Sequence, residues 1–177
     1  QDFANAPLAG VEAGDNLVVE RGDTLRSVVA RLREQGIDAG RDLEWRLLAR
    51  QMDAAGRLSV GEYALSPELT PRQLLQRMRD GRVIQYRVTI VEGWNFRQLR
   101  AALAAAQPLL HETTGMDDAA VMAALGHPGQ HPEGRFLPET YLYQRGDSDL
   151  DILRRAYAAM EQALAEAWAN RAPDTPL

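Results

Sequence analysis

Leu17-Val18-Val19-Glu20-Arg21-Gly22-Asp23-Thr24-Leu25 joins a short apolar run, a glycine turn and a polar residue suited to begin a helix. The run reads as a strand over residues 17–20. Asp23 or Thr24 suits the N-cap of a helix over 25–35, whose Leu25, Val28, Val29 and Leu32 share one face. Gly36 ends it. A second helix is expected over 43–55, with Trp45, Leu47, Leu48 and Met52. A strand over 60–65 follows. Thr70 then caps a third helix that Pro71 opens and Gly81 closes. Residues 1–15 read as a loose lead-in.

The pattern restarts further on. Residues 88–91 read as a strand, Glu92-Gly93-Trp94-Asn95 as a turn and 96–106 as a helix. Gly93 matches Gly22, Phe96 matches Leu25, Arg97 matches Arg26, Leu99 matches Val28 and Leu103 matches Leu32, all at one spacing. Gly134-Arg135-Phe136-Leu137 reads as an echo of Gly61-Glu62-Tyr63-Ala64. These matches suggest a duplicated strand-helix-helix-strand-helix unit. The alternative is that strand, glycine and capped helix simply recur. A periodic helix over 149–170 closes the chain, and Pro173-Asp174-Thr175-Pro176-Leu177 reads as the start of a linker. The expected class is α+β: small mixed sheets flanked by helices, a first unit over 16–82 and a second over 83–177.

The 177 residues suffice for one domain or two small ones with a real core. Net charge is −5, which argues against nucleic acid as a partner. There is no cysteine, so thiolate chemistry and disulfides are excluded. All 20 basic residues are arginine, which excludes lysine Schiff-base and Walker-type chemistry. No apolar run approaches the roughly 20 residues that span a bilayer.

Pro132-Glu133-Gly134-Arg135-Phe136-Leu137-Pro138-Glu139-Thr140-Tyr141 carries the chemistry. It sets two carboxylates among apolar and aromatic groups, with prolines stiffening the segment. An acid in such surroundings keeps its proton more readily than one in water, and can donate it to a leaving oxygen. Glu139 reads as a sugar-orienting group or as a cap after Pro138. Thr140 and Tyr141 read as hydrogen-bond and stacking partners for a pyranose, or Tyr141 as core with its hydroxyl satisfied. Trp94 reads as a stacking face for a sugar or, more simply, as core after a turn glycine, and Glu92 reads chiefly as structural. His127 and His131 have metal-like spacing, but Pro128, Gly129 and Pro132 break the helix that would join them. Arg72, Arg77, Arg79, Arg82 and Arg87 read as an anion-binding face or, more simply, as solvated helix edges.

In this order the pieces resemble the endolytic murein transglycosylase (YceG-like) family. Gly22-Asp23-Thr24 with its helix and Gly36-Ile37 resembles a LysM-like unit. Gly61-Glu62-Tyr63, Thr70 to Leu75 and Gly81 resemble its end. Glu92-Gly93-Trp94 resembles the second strand-turn, and Glu133 to Tyr141 the catalytic signature. Arg135 stands where a bulky apolar residue is expected, and Glu139 where aspartate is commoner.

The resemblance implies a LysM-like unit followed by a partial catalytic unit. It implies Glu133 as catalytic acid, with Phe136, Glu139, Thr140 and Tyr141 binding substrate, and no metal or organic cofactor. The implied reaction cleaves the bond between N-acetylmuramic acid and N-acetylglucosamine without water, leaving 1,6-anhydro ends and limiting nascent strand length. A glycan-binding module without catalysis is the alternative. The implied partners are peptidoglycan strands and peptidoglycan synthases. The implied setting is the bacterial inner membrane, held by a single-pass anchor before Gln1, with the catalytic part in the periplasm. That chemistry calls for Glu133 in a sugar-accessible groove dry enough to hold a proton near neutral pH.

Overall fold

The computed structural model describes residues 2–171, so the expected linker over 173–177 lies outside the described residues. The chain divides into two compact units, one up to Ile84 and one from Gln85. The first holds α1 (Asp2–Asn5), β1 (Asn16–Val19), α2 (Leu25–Glu34), α3 (Asp42–Gln51), β2 (Gly61–Ala64) and α4 (Pro71–Asp80). The second holds β3 (Tyr86–Thr89), α5 (Phe96–Ala105), α6 (Asp118–Ala124), β4 (Thr140–Tyr143) and α7 (Asp149–Ala169). The protein is therefore α+β, and from β1 onward both units run β-α-α-β-α.

The sheets differ from expectation. Each is a two-stranded antiparallel pair, β1 with β2 and β3 with β4, and neither is mixed. In each unit two helices separate the paired strands. A lone hairpin-sized sheet is marginal in water, so helices must cover it. In the first unit Leu17, Val19 and Tyr63 pack with Val28, Leu32, Trp45, Leu74, Leu75 and Met78. In the second, Val88 and Tyr141 pack with Phe96, Leu99, Leu103, Met122, Phe136, Ile152 and Leu153.

The lead-in is not loose. Leu8 is 2% exposed, its amide donates to the Leu69 carbonyl (2.8 Å), and the Phe3 ring meets Trp45 edge-on at 5.0 Å. These residues complete the first core, because Leu8 and Phe3 cover apolar surface that a two-stranded sheet and three helices leave open. The expected echo of Gly61–Ala64 at Gly134–Leu137 is also out of register. The strand equivalent to β2 is β4, and it begins six residues later than that echo placed it, at Thr140.

Hydrogen bonds fix the true register. Tyr63 donates to the Ser59 carbonyl at 2.6 Å, and Tyr141 donates to Leu137 at 2.7 Å, each four residues back. Arg77 on α4 donates to the carbonyl of Ala64, the last residue of β2; Arg155 on α7 donates to Leu142 in β4. Thr70 caps α4 and Ser148 caps α7, each in a reciprocal capping box. Every pair is separated by one constant shift in numbering. Thr24 and Asn95 cap α2 and α5 in the same manner, after turns in which Gly22 and Gly93 adopt φ of 89° and 87°.

Candidate active site

The acid is delivered by a loop that follows α6. Leu125, Gly126 and His127 return their amides to the last carbonyls of that helix, ending it at Ala124. Pro132 and Gly134 then shape a tight turn: Gly134 has φ of 73°, a left-handed angle that glycine adopts without the cost other residues bear. Phe136 anchors the turn. It is 6% exposed, stacks on Phe96 at 5.3 Å between centroids and meets Tyr157 edge-on at 6.1 Å.

This anchoring brings Glu133 to the start of α5. Both carboxylate oxygens face one donor, the amide of Phe96, at 3.0 and 3.1 Å. That amide belongs to the first turn of the helix, where no intrahelical acceptor exists. A carboxylate has about four acceptor positions, so a single N–H leaves most of them free. Among the described residues no arginine pairs with Glu133. The backbone amide of Glu133 receives support from His131 Nδ1 at 3.3 Å.

Glu133 lines a cavity of about 160 Å³. Its walls come from the β3–α5 segment (Ile90, Trp94, Phe96), the acid's own loop (Pro132, Phe136, Pro138) and Met160 of α7. Most lining side chains are apolar, and the polar groups among them are the carboxylate, the Asn95 amide and the Trp94 indole N–H. Glu133 itself is exposed, so the described residues alone do not provide the dry surround the chemistry calls for. A cavity of this size receives one group of a ligand, whereas a whole ligand usually fills 300 Å³ or more. Hollows of about 310–590 Å³ lie elsewhere, so volume alone does not mark the chemistry.

The other expected site residues take distinct places. Phe136 lines the cavity from the core. Tyr141 is 6% exposed with its hydroxyl spent on Leu137, and burial, assisted by Glu139, pushes that hydroxyl above the usual tyrosine range. Thr140 is exposed and its Oγ1 lies 2.9 Å from Thr89 Oγ1 across the strands. Glu139 is exposed and accepts from the Thr140 amide at 3.1 Å. None of these three lines the cavity with Glu133.

Trp94 and Asn95 do line it, and Trp94 is also half-buried against the second core, as its structural reading expects. The signal available was the turn match itself, which sets Trp94 opposite Asp23, a polar residue in an otherwise parallel segment. His127 stacks on Tyr157 at 4.0 Å, and Arg72, Arg77 and Arg79 donate to Asn5, Ala64 and Met52 within the first unit.

Taken together, these are two β-α-α-β-α units, the second presenting a single carboxylate at a helix start beside an indole. A family model described as the YceG-like family matches residues 17–176. The chain belongs to that family, which is known as endolytic murein transglycosylases. A crystal structure of a YceG-like protein from Listeria monocytogenes is similar over 88% of this chain and 57% of that one, with 20% identity and a TM-score of 0.39. The chain thus spans little more than half the length of that protein. The comparison with curated proteins gave no match.

Proposed function

We propose that the protein acts in endolytic peptidoglycan lytic transglycosylation, with Glu133 as its acid. The observation that carries this reading is the placement of Glu133. Its carboxylate is held by the Phe96 amide at the mouth of the Trp94–Phe136 cavity and is otherwise uncommitted. Family membership supplies the reaction class.

In the protonated acid, one oxygen accepts from the Phe96 amide while the other carries the proton toward the ligand. That proton passes to the glycosidic oxygen as the bond from C1 of N-acetylmuramic acid breaks. The C6 hydroxyl oxygen of the same sugar attacks C1, and the Glu133 carboxylate takes the hydroxyl proton. The product ends in a 1,6-anhydro ring, the acid is restored, and no water enters. One carboxyl therefore suffices, unlike the paired carboxyls of hydrolases. Because Glu133 is exposed, a strand lying over the cavity supplies the desolvation.

In the whole enzyme, Glu133→Gln abolishes anhydro ends while the fold is kept. Anhydro ends formed at the parent rate by that variant would end the proposal, and reducing ends in place of anhydro ends would indicate a hydrolase. The reading extends to a periplasmic setting, an inner-membrane anchor and synthase partners. No helix among the described residues is long and apolar enough to cross a membrane. Phe136, Trp94 and Asn95 shape the cavity; the exposed Glu139 and Thr140 are left as sugar contacts outside it, whereas buried Tyr141 serves the fold.

A further inference from the structure

The loop that carries Glu133 has to be placed as well as shaped. Bonds inside it, from the Gln130 amide to His127 at 3.2 Å and from the Arg135 amide to Pro132 at 3.4 Å, set its shape. They do not fix it to the rest of the unit. Two neighbouring residues of α7 do. The Leu137 amide donates to the Ala156 carbonyl at 3.1 Å. Tyr157 meets the loop at three points, on both sides of the acid. Its ring stacks on His127 at 4.0 Å between centroids and meets Phe136 edge-on, and its hydroxyl donates to Gln130 Oε1 at 2.7 Å.

A buried tyrosine hydroxyl needs a partner. Tyr141 and Tyr143 find theirs in backbone carbonyls, of Leu137 and Gln107. Tyr157 instead bonds a side chain of the loop, three residues before the acid, while its own ring is buried with the core. The first unit uses the same place. The shift that pairs Tyr63 with Tyr141 and Arg77 with Arg155 also pairs Arg79 with Tyr157, and Arg79 donates to the Met52 carbonyl just beyond α3 at 2.8 Å. In both units this position of the last helix holds the connection that leads to the second strand. In the second unit that connection carries Glu133, where the first has Ala55.

We infer that Tyr157 is a positioning residue for Glu133. It does not line the cavity; it acts through the loop, by setting where the carboxylate meets the Phe96 amide. The effect on rate rests on the function proposed above; the effect on the carboxylate rests on these contacts alone. A donor slightly out of place slows the chemical step and leaves ligand binding as it was.

Two variants remove one bond from its two ends. Tyr157→Phe keeps both ring contacts, and Gln130→Met changes a half-buried loop residue. In the whole enzyme acting on peptidoglycan strands, each is expected to lower kcat about three- to tenfold, the range one neutral hydrogen bond carries, with KM unchanged. The double variant is expected to fall no further, because both changes delete the same bond. Amide hydrogen exchange in this chain reads the carboxylate's place without catalysis. The Phe96 amide, which donates to Glu133, is expected to exchange faster in both variants, while the amides of Leu153 and Ala156 inside α7 keep the parent rate. Parent kcat with parent Phe96 exchange in both variants overturns the inference. A rise in KM at constant kcat does so too, as does equal acceleration of all these amides, which marks a general loss of stability. If Glu133→Gln leaves cleavage intact, the catalytic reading falls, and Phe96 exchange still decides whether Tyr157 places the carboxylate.

Discussion

The two units build the same turn and commit it to different ends. In the first, Asp23 accepts from the Glu20 amide at 2.7 Å and receives both arms of the Arg31 guanidinium at 2.7 and 3.1 Å. Arg31 also donates to the Val18 carbonyl, so one ion pair ties strand, turn and helix together. In the second, Trp94 stands in place of Asp23 and Ala102 in place of Arg31. Among the described residues no ion pair closes that turn, and the cavity lies beside it. The loop before β4 differs too: Pro128 to Pro132 have no counterpart between Ala54 and Ala55, and they carry Glu133 to the open amide of Phe96. The comparison teaches that one scaffold can close this turn with an ion pair or leave a cavity beside it.

The comparison breaks first at the acid. Glu133→Ala gives the second unit the residue of the first, and anhydro-end formation in the whole enzyme is expected to fall by about 10²–10⁴-fold, as loss of a general acid does. Chromatography of the released products checks this, with the thermal midpoint unchanged because Glu133 is exposed.

Next in size is the ion pair. Asp23 is held well below the usual carboxylate range, chiefly by its hydrogen bonds from Arg31, and its side chain is 11% exposed. Asp23→Asn should cost about 1.5–3 kcal/mol, the range for hydrogen bonds to charged groups, read from urea midpoints at pH 7. The folded-state value is depressed, so the stabilisation is present above the unfolded value near pH 4 and is lost as pH falls toward the folded one. The gap between parent and variant therefore narrows between about pH 5 and pH 2. A gap constant over that range would break the assignment.

Tyr63→Phe and Tyr141→Phe should each cost about 1–2 kcal/mol by leaving a carbonyl without its donor. Similar losses in the two variants would sharpen the equivalence of β2 and β4, and widely different ones would break it. Smallest are Arg77→Met and Arg155→Met, expected to cost about 0.5–1 kcal/mol each and to match one another.

Much of this could be read beforehand, and the failures have physical reasons. Helices α2, α4, α5 and α7 were legible because each carries a capping residue and an apolar stripe, two local signals that agree. Helix α6 was not, because Asp118–Ala124 is alanine-rich and offers only Val121 and Met122 to its core. Strand β4 lay hidden inside the signature, where Thr140 and Tyr141 were read for chemistry before structure. Strand β3 spans Tyr86–Thr89, two residues earlier than its apolar run suggested, because only Val88 of the strand is buried and pairing sets the bounds. The lead-in was misjudged since its burial depends on partners about sixty residues away, Leu69 among them. At the site, Glu133 was legible from its motif. The place of Trp94 between core and cavity was legible only as two alternatives, because it depends on what the loop before β4 brings opposite.

The loop that carries the acid has a further consequence. Bounded by prolines at 128, 132 and 138 and clamped through Phe136 against Phe96, it surrenders its freedom when the protein folds. Under the proposed function, a strand arriving at the cavity would meet a donor already aimed. The entropic toll of ordering the reacting group would then be met once, during folding, and not repeated at each turnover.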